Sequence, residues 1–216
     1  MIDTVEFIKK NKFIAILRNI PEAKIKDTAK ALYNGGVRIF EITFNPSEED
    51  TEEKTARAME TVKNVCGSGI SVGAGTVVKN EFVAAAKKAG AQFIVSPNTD
   101  SEIIKLTKEN GMISIPGAFT PSEIVSAYKL GADIVKIFPI EPHNISYLKN
   151  ILSPISHIPF ITTGGVNKDT AKELINTGAL ALAAGASIIP KDALENGNFD
   201  IIEEKARELI SIINNA

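Results

Sequence analysis

The sequence predicts an α/β fold, a single-domain (β/α)8 TIM barrel that spans residues 1–216. Short apolar runs rich in Val, Ile and Phe recur about every 20 to 30 residues, and each is followed by a segment with helical periodicity. Eight such runs occur, which is the number of strands that closes a parallel barrel. With 216 residues and 44% hydrophobic content, the chain has the size and composition of one domain.

The predicted elements follow from these runs. The eight strands are Phe13–Arg18, Val37–Phe44, Ile70–Thr76, Gln92–Ser96, Ile113–Ile115, Asp133–Phe138, Pro159–Thr163 and Leu180–Ala184. An extra helix is predicted before the first strand, at Thr4–Asn11, and an amphipathic one at Asn198–Asn214. Its apolar face is Ile201, Ile202, Ala206, Leu209, Ile210 and Ile213.

Glycines are expected to end several helices. The helix predicted at Pro21–Asn34 ends in Gly35 and Gly36, and Gly90 and Gly131 have the same place before later strands. An open doubly wound sheet is the competing architecture. It usually places phosphate-binding glycines after the first strand, and none follow the strand that ends at Arg18.

Composition argues against several classes of function. The 24 basic and 26 acidic side chains nearly balance, which favours a small-molecule substrate over nucleic acid or a membrane. Cys66 is the single cysteine and no signal peptide is evident, so a cytoplasmic protein is expected, with Cys66 buried or incidental. His143 and His157 lack metal-ligand spacing, so neither a metal nor another cofactor is expected.

Lys136 is the most unusual residue of the sequence, because it interrupts an apolar strand. A charged amine there would lose several kcal/mol of hydration, so such a lysine is either paired or functional. Strand alternation places Lys136 on one face with Ile134 and Phe138, and in a barrel lumen the pKa of the amine would fall. Phe138 is then expected to line the substrate site. The alternatives are a structural ion pair or a lysine that extends outward between helices.

Glu41 is the expected partner of Lys136. In the second strand, Phe40, Ile42 and Phe44 share one face, while Glu41 and Thr43 share the other. A carboxylate beside an imine-forming lysine can shuttle protons, so Glu41 is predicted to be the acid/base. A buried salt bridge that only neutralises Lys136 is the alternative.

Glycine-bearing turns are predicted at the ends of several strands. The third strand ends in such residues at 72–76, the seventh is followed by Gly164 and Gly165, and the eighth runs into Gly185, Ala186 and Ser187. The last two strands are where barrels commonly bind phosphate, and their exposed N–H groups are the expected ligands.

Three further side chains are candidate ligands at the strand ends. Thr76 and Thr163 carry hydroxyls that could bind a carboxylate or hydroxyl of the substrate, although threonine is also ordinary in strands. Arg18 alone of the four arginines follows a strand at the presumed open face. It is the better candidate for binding an anion, with a surface ion pair as the alternative.

Six segments together resemble one known family. They are GGVRIFEIT at 35–43, VGAGT at 72–76, IVSPN at 94–98, IPG at 115–117, VKIFP at 135–139 and TGGV at 163–166. In this order they are similar to the 2-keto-3-deoxy-6-phosphogluconate (KDPG) and 4-hydroxy-2-oxoglutarate aldolases, which include the 6-phosphogalactonate enzymes. The resemblance covers nearly the whole chain.

The resemblance implies a role for each matched residue. Lys136 would form the imine, Glu41 would be the acid/base, and Thr76, Pro97 and Thr163 would line the keto-acid pocket, with phosphate at Gly164 and Gly165. It also implies a homotrimer. Two departures concern the anion contacts. Asn45 stands where gluconate-type enzymes carry Arg, and Ala186 follows Gly185 where they carry Ser. Asn45 is kept as a substrate-binding candidate, and Ser187 as a replacement for the missing hydroxyl.

The predicted activity is therefore that of a class I aldolase. It would cleave a 2-keto-3-deoxy-6-phospho sugar acid to pyruvate and glyceraldehyde 3-phosphate, and also 4-hydroxy-2-oxoglutarate to pyruvate and glyoxylate. A galactonate-type or non-phosphorylated keto acid is the alternative substrate. A phosphosugar isomerase or epimerase and a non-enzymatic binding barrel are the rival classes.

Overall fold

The computed structural model describes residues 3–141 and 145–216, and His143 lies outside them. Strands and helices alternate along the chain. The strands are β1 (Phe13–Leu17), β2 (Ile39–Thr43), β3 (Ser71–Gly75), β4 (Phe93–Val95), β5 (Ile113–Ile115), β6 (Gly117–Ala118), β7 (Val135–Ile137), β8 (Phe160–Thr163) and β9 (Ala181–Ala184). The helices are α1 (Thr4–Asn11), α2 (Glu22–Asn34), α3 (Thr51–Cys66), α4 (Asn80–Lys88), α5 (Ser101–Glu109), α6 (Pro121–Lys129), α7 (Ile145–Leu152), α8 (Ala171–Ile175), α9 (Lys191–Asn196) and α10 (Phe199–Asn214).

The sheet is parallel and nearly closed into a barrel. Its strand order is β5-β4-β3-β2-β1-β9-β8-β7-β6, which confirms the predicted barrel arrangement. The predicted strand Ile113–Ile115 is β5, and a short strand that was not predicted, β6, follows it; Pro116 separates β5, which pairs with β4, from β6, which pairs with β7. Proline has no N–H to donate to a sheet, so the hydrogen bonding between strands is interrupted at Pro116. The two edge strands, β5 and β6, are joined there by the covalent chain.

The side chains of the strands pack into two layers. Ile14, Ile39, Phe93, Ile134 and Ile161 belong to a cluster inside the barrel, and all of them are buried. The alternate strand residues belong to the larger cluster between the sheet and the helices. Because successive side chains of a strand point to opposite faces, each strand contributes to both layers.

Helix α1 closes the N-terminal end of the barrel. Ile8 is fully buried in the inner cluster, and Val5 and Phe7 pack against it. Asp3 caps the helix, since its Oδ1 accepts a hydrogen bond of 3.0 Å from the Val5 N–H. Water is therefore excluded from the lumen at this end.

The helix ends and the last helix can be compared with their predictions. Gly36, Gly90 and Gly131 all have positive φ after a helix, as predicted. The buried face of α10 is Ile202, Ala206, Leu209 and Ile213. Including Ile201 in that face was wrong, because its side chain is 39% exposed. It directly precedes Ile202, and consecutive helical residues lie about 100° apart.

Two other expectations concern reactive groups. Cys66 is buried, and burial raises the pKa of its thiol to about 11, which leaves it protonated at neutral pH. Within residues 3–141 and 145–216, no group of three or more His, Cys, Asp or Glu side chains is placed to hold a metal ion. No helix of the described ranges is long and apolar enough to cross a bilayer.

Truncating Ile8, the buried residue of α1 at the N-terminal end of the barrel, should destabilise the fold. Ile8→Ala removes a fully buried side chain from the inner cluster and is expected to cost roughly 2–4 kcal/mol of unfolding free energy. Lys10→Ala, on the exposed side of α1, is the matched control, with an expected change within about 0.5 kcal/mol. Urea unfolding followed by circular dichroism measures both, and equal midpoints would show that α1 does not close the barrel.

Candidate active site

Two ionisable side chains point into the lumen of the barrel. Lys136 is the central residue of β7 and is 5% exposed, and Glu41 lies in β2 and is 1% exposed. Their strand neighbours Val135 and Phe40 point into the outer layer, so alternation turns both polar side chains inward, as predicted. The Phe138 ring covers the amine, with its centroid 4.6 Å from Lys136 Nζ.

Burial dominates the protonation of both groups. It lowers the pKa of Lys136, an effect that Arg18 reinforces and Glu41 partly offsets. It raises the pKa of Glu41, against the opposing charges of Lys136 and Arg18. A neutral amine and a neutral carboxyl are therefore both more accessible near neutral pH than they would be in water.

Lys136 and Glu41 do not form a direct salt bridge. The ion pairs of the described residues, taken within 4.0 Å, do not join them. Glu41 Oε2 is buried and has no hydrogen-bond partner among the described atoms. A buried oxygen without a hydrogen-bond partner lowers the stability of the fold. Such an oxygen is therefore more typical of a group that acts on a ligand than of a structural ion pair.

The glycines of β3 provide space rather than a turn. The sequence suggested a glycine-bearing turn at 72–76, but Gly73 and Gly75 lie within the strand, so that prediction was wrong in part. A Cβ at Gly73 would overlap the Phe93 ring, and one at Gly75 would overlap Glu41 Oε1. Both glycines face the lumen. Glycine is needed at these positions because neighbouring side chains fill the space that a Cβ would occupy, and not because of the φ angles.

A cavity of about 910 Å³ opens above Lys136 at the carboxyl ends of the strands. Most of the predicted site residues line it: Arg18, Lys136, Phe138, Thr163, Gly164, Gly165, Gly185, Ala186 and Ser187. Thr163 Oγ1 and Ser187 Oγ are buried and lack hydrogen-bond partners among the described residues. The cavity therefore has a buried amine at its base and two hydroxyls without described partners in its walls.

The turns after β8 and β9 are formed by glycines for two reasons. Gly164 and Gly165 have φ of 97° and 57°, a region that side-chain-bearing residues rarely adopt. A Cβ at Gly164 would lie 2.9 Å from the backbone of Ile140, and one at Gly185 would lie 2.9 Å from the carbonyl oxygen of Ile16. Glycine thus allows another segment of backbone to pack closely at both turns, and residues of both turns line the cavity.

Arg18 reaches across the open end of the barrel. Its Nη2 donates a 3.2 Å hydrogen bond to Thr76 Oγ1, at the turn that follows β3. Thr76 has φ of 57°, which is unusual and strained for a β-branched residue. Thr76 is not among the cavity-lining residues but is brought to the cavity's edge through Arg18.

Asn45 and Pro97 lie apart from the main cavity. Asn45 lines a neighbouring pocket of about 250 Å³, where its Nδ2 donates a 2.8 Å hydrogen bond to Glu48 Oε1. Pro97 is exposed, and its carbonyl packs so closely on Gly117 that a Cβ there would overlap it. Neither residue lines the cavity that contains Lys136.

Several lining residues were not predicted. Asn167 follows the β8 turn, Lys24 belongs to α2, and Leu194 belongs to α9. The only sequence signal for Asn167 was its place two residues after Gly165. Lys24 Nζ donates to the carbonyl oxygens of Leu194 at 2.6 Å and Glu195 at 2.8 Å, a contact between distant segments that no local pattern predicts.

A protein-family model described as "KDPG and KHG aldolase" matches residues 4–205 of this chain. The chain belongs to this aldolase family. It is 33% identical over 183 residues to the KHG/KDPG aldolase of Escherichia coli (strain K12), covering 84% of this chain and 83% of that protein. Identity to the 2-dehydro-3-deoxy-phosphogluconate aldolase of Dickeya dadantii (strain 3937) is 32% over 186 residues, covering 85% and 83%.

Solved structures agree with the family assignment. A structure described as native KDPGal superposes with a TM-score of 0.81 at 27% identity, over 94% of each chain. The KDPG aldolase of Zymomonas mobilis ZM4, solved with 3-phosphoglycerate, gives a TM-score of 0.81 at 25% identity, over 97% of this chain and 96% of that one. Aldolases of this family are carbon–carbon lyases, and the barrel above is their shared fold.

The Lys136 amine of the aldolase should lose its proton at a lower pH than an ordinary lysine. Acylation of Lys136, followed by peptide mass spectrometry across pH, reports this midpoint because only the neutral amine reacts. Arg18→Gln removes a charge that lowers the pKa, so its midpoint should rise. Glu41→Gln removes a charge that raises it, so its midpoint should fall. Shifts with the opposite signs would contradict the assigned electrostatics.

Proposed function

We propose that this aldolase works through a Schiff base on Lys136 and reversibly cleaves 2-keto-3-deoxy-6-phospho sugar acids of the KDPG type to pyruvate and glyceraldehyde 3-phosphate. The observation that carries the proposal is a buried lysine that forms no salt bridge with the described residues, lies at the base of a cavity and shares the lumen with the buried carboxyl of Glu41. Membership of the aldolase family supports it.

The proposed reaction begins with imine formation. The neutral amine of Lys136 attacks the C2 carbonyl, and Glu41 supplies the proton with which the hydroxyl leaves as water. The lowered pKa of the amine and the raised pKa of the carboxyl provide the reactive form of each group. The Phe138 ring beside the amine can stabilise the cationic iminium by a cation–π interaction.

Cleavage then uses the iminium as an electron sink. Glu41, now ionised, removes the proton of the C4 hydroxyl, the C3–C4 bond breaks, and its electron pair forms the enamine of pyruvate while an aldehyde departs. Protonation of the enamine at C3 and addition of water at C2 release pyruvate and restore the amine. Each proton taken up in one step is returned in another.

The two ends of the substrate would meet different surroundings. We assign the C1 carboxylate to the side of Arg18 and Thr76, with Thr163 in the wall of the same cavity, because the Arg18 guanidinium is held there by Thr76. The Thr163 hydroxyl is buried and has no hydrogen-bond partner among the described residues.

The distal phosphate would bind backbone N–H groups at the β8 and β9 turns. Gly164, Gly165, Gly185 and Ala186 line the cavity there, and the Ser187 hydroxyl is free of described partners. Asn45 is proposed to influence the site only from the adjacent pocket, since Glu48 holds its amide.

The alternative substrates differ at the aldehyde end. 4-Hydroxy-2-oxoglutarate, a galactonate-type acid and a non-phosphorylated keto acid would all form the same imine.

We further propose that residues 1–216 act as one domain, without a metal or other cofactor, in a cytoplasmic homotrimer that does not bind nucleic acid or membranes. The near-balanced charge and the family resemblance support this.

The proposal predicts a covalent pyruvate adduct. Incubation with pyruvate and borohydride should add one reduced pyruvate to the wild-type protein, mapped to Lys136, whereas Lys136→Ala should give none. Lys191→Ala, at an exposed lysine of the same cavity, is the matched control and should label like wild type. Absence of an adduct on folded wild-type protein would overturn the aldolase mechanism and favour an isomerase or binding barrel.

Glu41→Gln tests the proton relay. The variant keeps the shape of the side chain and should lower kcat for cleavage by roughly 100- to 10,000-fold, as expected for loss of an acid/base group. The Lys136 adduct should still form, but slowly. Glu48→Gln changes an exposed carboxylate of the adjacent pocket and should leave kcat within about twofold. Wild-type kcat in Glu41→Gln would remove Glu41 from the mechanism.

A further inference from the structure

A closed set of hydrogen bonds surrounds the carbonyl group of Gly165, behind the wall of the cavity. Thr170 Oγ1 donates to the Gly165 oxygen at 2.7 Å. The same hydroxyl accepts a 3.0 Å hydrogen bond from the Asn167 N–H, so both of its capacities are used. Thr170 is 8% exposed and does not line the cavity itself.

The side chain of Asn167 completes this set. Its Oδ1 accepts from the N–H groups of Asp169 at 2.8 Å and Thr170 at 3.2 Å. Its Nδ2 lies 3.4 Å from the Gly165 oxygen, as a second and longer donor. The Asn167 carbonyl accepts from the Ala171 N–H at 2.9 Å, which attaches the segment to α8. Asn167 and Thr170 thus hold one carbonyl from two directions.

The orientation of this carbonyl determines the orientation of an N–H group. In a trans peptide, the Gly165 C=O and the Val166 N–H point in opposite directions. The Val166 side chain is 4% exposed and packed in the outer core, so it fixes the other side of that peptide. Neither the Gly165 nor the Val166 N–H donates to another described residue.

Without such a clamp, the two adjacent glycines would leave this turn free to rotate. Gly164 and Gly165 both have positive φ, and glycine has many other accessible conformations. An anion that binds N–H groups pays for any ordering they still require, so a preoriented peptide binds more tightly. A side-chain cation would be less sensitive to this, because its attraction is not directional in the same way.

We propose that Thr170 and Asn167 are positioning residues that orient the Gly165–Val166 peptide, so that the Val166 N–H binds the phosphate of the substrate. The inference rests on the proposed aldolase function. It adds Thr170, which lies behind the cavity wall, and Asn167, which lines the cavity, to the determinants of specificity for phosphorylated over non-phosphorylated keto acids. It requires no contact between Thr170 and the substrate.

The test compares two substrates in matched variants. Thr170→Val replaces the hydroxyl by a methyl of similar size, and Thr170→Ser retains the hydroxyl. For Thr170→Val, KM for 2-keto-3-deoxy-6-phosphogluconate should rise about tenfold, on the order expected for one hydrogen bond. The values of kcat and of KM for non-phosphorylated 2-keto-3-deoxygluconate should stay within about twofold. Thr170→Ser should restore the wild-type KM.

A purely structural role would give a different pattern. Equal loss with both substrates, or no rescue by Thr170→Ser, would overturn the proposal. If Thr170→Val does not fold by circular dichroism, Thr170→Ala carries the same comparison, since it also removes the hydroxyl that donates to the Gly165 oxygen. Borohydride trapping with pyruvate alone separates the two hypotheses. A normal adduct on Lys136 with unchanged phosphate discrimination sinks only the positioning role, whereas no adduct in the wild type sinks the aldolase.

Discussion

Desolvation of Lys136 and Glu41 inside the barrel is the constraint on which the rest of the structure depends. Burial moves the pKa values of the two groups toward each other, which brings a neutral amine and a neutral carboxyl within reach of the same pH. That effect survives only if water is kept out of the lumen. The buried side chains of Ile8, Phe93 and Ile134 therefore help to keep the pKa of Lys136 low.

The same constraint explains where the chain uses glycine. A buried carboxyl needs room in a lumen already filled by large side chains, and Gly75 supplies it beside Glu41. Gly73, in the same strand as Gly75, supplies room for the Phe93 ring of β4. At Gly164 the reason is different, because a positive φ and the approach of Ile140 both operate there. Glycine thus leaves space for neighbouring side chains at the base of the site. At its rim, glycine permits a positive φ and the close approach of another backbone segment.

The sequence predicted the base of the site better than its rim. A lysine in an apolar strand and a glutamate in another have one inward orientation each, because alternation leaves only two faces. The orientation of Asn45 depends instead on Glu48 in the following loop, and that of Thr76 on Arg18 from another strand. Such partners are set by tertiary packing, so local patterns do not reveal them.

The same reasoning accounts for the errors in the fold. The strand β6 was missed because Gly117 and Ala118 form no apolar run of their own after Pro116, and its pairing with β7 is set by tertiary packing. Ile201 has the composition of a core residue, but its neighbour Ile202 occupies the buried position on α10. On α10, the pattern identified the helix, and competition for one place in the packing decided which isoleucine is buried.

The distribution of charge in the cavity bears on how the proposed substrate is held. Arg18 is fixed toward Thr76 at one side, while the β8 and β9 turns offer mainly backbone N–H groups and the Ser187 hydroxyl. A phosphate bound in this way would depend on geometry more than on net charge, since N–H groups are directional donors. The clamp formed by Thr170 and Asn167 is then the counterpart of the Arg18 contact. In the proposed complex, each would fix one set of donors before the substrate binds, and together they would orient the scissile bond over Lys136.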